Sequence, residues 1–129
     1  MHASHMNREE FLDAFQAITV RMFETARKKN HDYTGDDEDP FSNFDAVEKF
    51  GICSAETGLL VRMMDKYKRI VGLMKPGVTA LVEDESIDDT LLDLANYAVL
   101  LHLRRLARKR ATKLVAPMDK AFQAAGSLQ

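Results

Sequence analysis

From Asn7 onward, apolar side chains recur every three or four positions, at Phe11, Leu12, Phe15, Ile18, Met22, Phe23 and Ala26, the spacing of one helix face. Asn7 with Glu10 three residues later forms a capping box, so a first helix starts there. It is expected to fade at the basic run Arg27-Lys28-Lys29-Asn30. The stretch "KNHDYTGDDEDPFSNF", residues 29 to 44, has no apolar periodicity and reads as a long loop, a feature that is usually functional or disordered. Phe41 to Phe50 suits a short helix closed by Gly51. A second long helix is expected from its N-cap Ser54 to the breaker Lys75-Pro76-Gly77. Its apolar side carries Leu59, Leu60, Met63, Tyr67, Ile70, Val71 and Met74, with Arg62, Asp65, Lys66 and Arg69 opposite. A third begins near Ser86 and ends before Pro117, its basic end from Arg104 to Lys113 complementing the helix dipole.

No strand-like alternation, hairpin signal or internal repeat interrupts this pattern. The expected fold is therefore all-α, a helical bundle of three main helices plus short ones. So few helices enclose little core, and completion by oligomerisation is expected. One helical domain spans 7–116, followed by a tail at 117–129, while "MHASHM" at 1–6 reads as a cloning scar with Met6 as the native start.

Composition narrows the function classes. The 129 residues suffice for one core, and 46% apolar with 29% charged residues is ordinary globular composition. A net charge of −2 gives no general pull toward nucleic acid or acidic membranes, so neither is expected as a partner and any anion site must be local. The single Cys53 excludes an internal disulfide and a cysteine-based zinc site, and with no long apolar run it points to a cytoplasmic protein.

Helical phase brings the candidate chemistry forward. Asp89, Asp93 and Asn96, at i, i+4 and i+7, continue the line of Leu100 and Leu103 and so extend an apolar seam. Buried carboxylates are costly unless paired or metal-bound. If the second and third helices pack through their seams, Glu56 comes near Asp89 and Asp93, and such a carboxylate cluster would bind Mg²⁺. Alternatively Asp84, Asp88 and Asp89 favour a helix amino end, and Asn96 bonds within the bundle. Arg62 and Lys66 either form a solvated ion-pair face or grip a phosphate. His102, in an apolar stretch, reads as a core histidine.

Four blocks in order, "KNHDYTG", "PFSNF", "GLLVRMMDKYKRI" and "ESIDDTLLDLANYAVLL", resemble the nucleotide modification associated domains of the first type. These small phage and bacterial domains are similar to the all-alpha NTP pyrophosphatase (MazG-like) superfamily, and the resemblance covers roughly residues 8 to 106. It implies a dimeric or tetrameric helical bundle that binds Mg²⁺ through acids on two neighbouring helices. It also implies a nucleoside triphosphate held between subunits and hydrolysed to monophosphate and pyrophosphate. By the same resemblance Glu56, Asp89 and Asp93 are the catalytic and metal-binding acids. His31, Asp32, Tyr33, Asn43, Phe44 and Asn96 match its loop and third-helix blocks as nucleotide-binding residues, and Lys29, Arg62 and Lys66 join them in the nucleotide-binding set as the cations placed to meet phosphate. The superfamily's Glu-x-x-Glu and Glu-x-x-Asp pairs are incomplete here, with Leu59 three after Glu56 and Thr90 three before Asp93. That departure implies a smaller metal set, and it keeps open the alternative of a nucleotide-binding module without catalysis.

Overall fold

A computed structural model of the chain describes residues 5–77 and 86–127, with side chains to residue 115. Four helices follow in order: α1 (Arg8–Thr34), α2 (Ser42–Lys49), α3 (Ala55–Leu73) and α4 (Ile87–Ser127), and there is no strand among the described residues. The all-α expectation therefore holds, with two helices longer than the sequence pattern suggests.

The amino end of α1 forms as expected, with Asn7 Oδ1 accepting the Glu10 N–H at 2.9 Å and Asn7 Nδ2 donating back to Glu10 Oε1 at 2.8 Å. The helix does not fade at Lys29, however. It continues through His31, Asp32 and Tyr33 to Gly35, whose φ of 58° stops it and whose N–H reaches His31 O. The expected sixteen-residue loop thus shrinks to a short turn. Its acidic run serves the turn's own backbone, with Asp37 Oδ1 accepting the Asp39 N–H and Asp39 Oδ1 the Phe41 N–H, both at 2.9 Å. The backbone of α4 also runs past Pro117, where an end was expected. A proline inside a helix removes one backbone hydrogen bond and bends the axis rather than necessarily ending the helix.

Packing is tightest where α2, α3 and α4 meet. Gly58 lets α2 lie close on α3, because a Cβ there would stand 3.1 Å from Val47 Cγ2. The deeply buried side chains among the described residues are only Ala55, Leu59, Ile70 and Thr90. Two ion-pair groups tie the layers together. Arg104 donates to Asp45 at 2.8 Å while lying over the Phe41 ring. Arg108 donates to both oxygens of Glu56, at 2.9 and 2.7 Å, and to Glu48, whose other role is to accept the Ala55 N–H at 2.8 Å.

These contacts set the direction of the helices. Glu56, at the start of α3, meets Arg108 far along α4, whereas Lys66, ten residues later, meets Asp93 near the α4 start. The two helices are therefore antiparallel. Much of α3's apolar side stays uncovered, with Leu60, Tyr67, Val71 and Met74 exposed. Arg62 and Lys66, expected on the outer side, are instead partly covered, because long cationic side chains can bury their stems and keep their heads paired. His102 is exposed rather than in the core.

Candidate functional site

A pocket opens where the last turns of α1, the start of α2, the middle of α3 and the first half of α4 converge. It encloses about 50 Å³, room for a few water-sized groups. Ala26, Tyr33, Phe44, Tyr97 and Leu100 give it apolar and aromatic walls, and Lys29, Arg62 and Asp93 supply charge. Asn30, Asn43 and Asn96 add amides.

Each wall is held from the sequence upward. Because α1 continues past Lys29, Asn30 and Tyr33 follow it at helical spacing and face the same opening. Asn30 Nδ2 donates to Pro40 O at 2.8 Å, which fastens the turn onto α1 and carries Asn43 and Phe44 into place. Asn96 Nδ2 donates to Met22 O at 3.2 Å and so ties α4 to α1. The Arg62 guanidinium carbon stands 5.3 Å from the Phe44 ring centre, a cation–π contact that positions both at the mouth.

Asp93 is the electrostatic centre. Lys29 Nζ lies 3.1 Å from its Oδ1 and Lys66 Nζ 3.3 Å from its Oδ2, so cations from two different helices converge on one carboxylate. With Arg62 these groups leave a local excess of two positive charges, three cations against one anion. An anion with more charge than Asp93 and more acceptor oxygens can draw the lysines toward itself without moving any helix.

The sequence-derived set is thus divided by the structure. Lys29, Tyr33, Asn43, Phe44, Arg62, Asp93 and Asn96 line the pocket, and Lys66 joins them through Asp93. His31 and Asp32 sit on the outer side of α1, strongly exposed and facing each other at 3.4 Å. Glu56 does not approach Asp89 or Asp93. The antiparallel order carries it about 15 Å along α3 from the Lys66 level, at 1.5 Å per residue, and into the Arg108 clamp. The Arg108 hydrogen bond, ahead of the opposing effect of burial, holds the Glu56 carboxyl below its usual range. Glu48 is lowered chiefly by the Ala55 N–H.

Asp89 is exposed and completes a cap, with Ser86 Oγ donating to its carboxylate at 2.8 Å and accepting its N–H at 3.1 Å. The helix-end alternative therefore describes Asp89, while Asp84 lies outside the described residues. For Mg²⁺ the consequence is direct. The three acids have three separate sets of partners, and among the described residues no three His, Cys, Asp or Glu side chains gather as a metal site. Within one chain they do not fit a shared ion.

Two wall residues, Asn30 and Tyr97, were not singled out from sequence. Tyr97, one turn beyond Asp93, could have been found from helical phase. Asn30 was hidden by the expected end of α1.

Comparison with protein-family models, curated proteins and solved structures gives no match for this chain.

Proposed function

We propose that this domain binds a nucleotide in the α1–α4 pocket, with the phosphate at Lys29 and Lys66 and the planar base against the aromatic wall. The observation that carries the reading is the pair of lysines converging on Asp93 at the rim of a pocket walled by Tyr33, Phe44 and Tyr97. Aromatic faces stack on any base, and amides supply donors and acceptors for base edges. The pocket admits one end of such a ligand, and the rest lies at its open mouth. The resemblance to nucleotide modification associated domains supports the same ligand class.

The dispersed acids favour binding without hydrolysis. A Mg²⁺-dependent nucleoside triphosphate pyrophosphohydrolase is the second reading, supported by the resemblance and by the carboxylate of Asp93 at the cationic rim.

Calorimetric titration with ribo- and deoxyribonucleoside mono- and triphosphates, with and without Mg²⁺, tests both, provided the products are then resolved by chromatography. Binding without Mg²⁺ and an unchanged ligand after hours is the expected result, with Lys29→Ala and Lys66→Ala each weakening it about tenfold, or about 1.4 kcal/mol. Release of pyrophosphate transfers the conclusion to the hydrolase, and no heat with any nucleotide overturns both.

A further inference from the structure

Two of the three asparagines in the pocket wall are fixed in orientation. Asn30 Nδ2 donates to Pro40 O at 2.8 Å and Asn96 Nδ2 to Met22 O at 3.2 Å, and both residues line the cavity. A backbone carbonyl only accepts, so turning either amide over would set oxygen against oxygen and lose the bond. The amide oxygens are the ends left for a ligand. Neither Asn30 Oδ1 nor Asn96 Oδ1 has a hydrogen-bond partner among the described residues, and neither atom is sealed from solvent, although both residues are partly buried. The groups that can only donate, Lys29, Arg62 and Lys66, stand apart from them at the rim. Asn43, Tyr33 and Tyr97 carry no side-chain hydrogen bond among the described residues and can turn to offer donor or acceptor, so they select neither.

Resting on the nucleotide reading of this pocket, we propose that the site prefers bases with an exocyclic amino group, as in cytosine and adenine, over those with a keto oxygen at the same place, as in uracil and hypoxanthine. Asn30 Oδ1 and Asn96 Oδ1 are the acceptors that make the choice. An amino group brings two N–H donors, enough for one oxygen or both. A keto oxygen there would face the fixed carbonyls lone pair to lone pair and leave them unpaired once water is displaced. Rotation cannot relieve this, because Pro40 O and Met22 O hold the amides. Stacking on the aromatic wall and pairing of phosphate with the lysines are common to both kinds of base. The discrimination therefore falls on the two amides.

Calorimetric titration without Mg²⁺ tests this with cytidine against uridine 5′-monophosphate and adenosine against inosine 5′-monophosphate, pairs that exchange an amino group for a keto oxygen. The amino member should bind about tenfold more tightly in one or both pairs. Asn30→Ala and Asn96→Ala should bring that ratio toward one, at least one of them clearly, in protein shown by its melt to be folded. Where Asn96→Ala loses its tie to α1 and does not fold, Asn30→Ala decides alone. An asparagine that only supports the fold would weaken both members of a pair alike, so an unchanged ratio in the folded variants counts against the proposal. Equal affinities within both pairs, or tighter binding of the keto members, overturn it and leave the nucleotide reading standing. No heat with any of the four overturns both.

Discussion

Lys66 on α3 and Asp93 on α4 face each other at 3.3 Å, and the same carboxylate holds Lys29 of α1 at 3.1 Å. One aspartate therefore fastens three helices together at the rim of the pocket and occupies the two cations that an incoming phosphate would need. On the proposed reading Asp93 is the counter-ion that a phosphate would displace, a role that neutral amide chemistry at the same position would remove while leaving the shape intact.

Asp93→Asn should accordingly tighten the binding of a nucleoside monophosphate measured without Mg²⁺, by several-fold, because two lysines lose their competing partner. The cost in stability should stay near or below 1 kcal/mol per pair, since Lys29 is half exposed and such pairs contribute little. Calorimetric titration beside a thermal melt reads both quantities. Weaker binding in a variant that melts normally would mean that Asp93 positions the lysines rather than competing for them.

The clamp at the other end of α3 makes stability depend on acid pH. Glu56 and Glu48 both have folded-state carboxyls held below the ordinary 4.5, Glu56 mainly by Arg108 and Glu48 mainly by the Ala55 N–H. Their contribution is complete above about pH 4.5 and is lost as pH falls through the lowered values. Arg108→Met should reduce stability at pH 7 by about 1–2 kcal/mol, after allowance for the 40% exposure of the arginine. It should also flatten the decline between pH 5 and pH 3, leaving the part that the Ala55 N–H sustains. Urea unfolding across that range decides the matter, and parallel losses in the parent and the variant would count against the clamp.

Ser86 and Asp89 cap α4 rather than serve the pocket. Ser86→Ala should lower stability by about 1 kcal/mol, the usual cost of losing an N-cap hydroxyl, with nucleotide affinity unchanged. Asp89→Asn should behave in the same way with a smaller effect. A large loss of binding in Asp89→Asn, at unchanged folding, would assign the residue to the site after all.

The helical architecture was legible from the chain alone because capping and periodicity are local. Asn7 with Glu10 and Ser54 cap α1 and α3 where they were expected, each through its own side chain. Most of the pocket was legible too. Asp93 and Asn96 share a helix face with Leu100, and Phe44, Asn43 and Tyr33 flank one short acidic turn. The far end of α1 was not. Thr34 Oγ1 returns to Asn30 O and Asn30 Nδ2 to Pro40 O, contacts that keep polar residues helical against their weak propensity and that no window of sequence displays.

Glu56 marks the same boundary most clearly. Its helical phase was right, on the side of α3 that faces α4, but phase says nothing about the level at which two helices meet. That level came from the antiparallel return of the chain, which pairs Glu56 with Arg108 and Lys66 with Asp93. Local spacing determined which residues share a face, because hydrogen bonding within a helix depends only on neighbours in sequence. Only the tertiary structure decided which faces touch and at what height, because ion pairs and burial join residues that stand far apart along the chain.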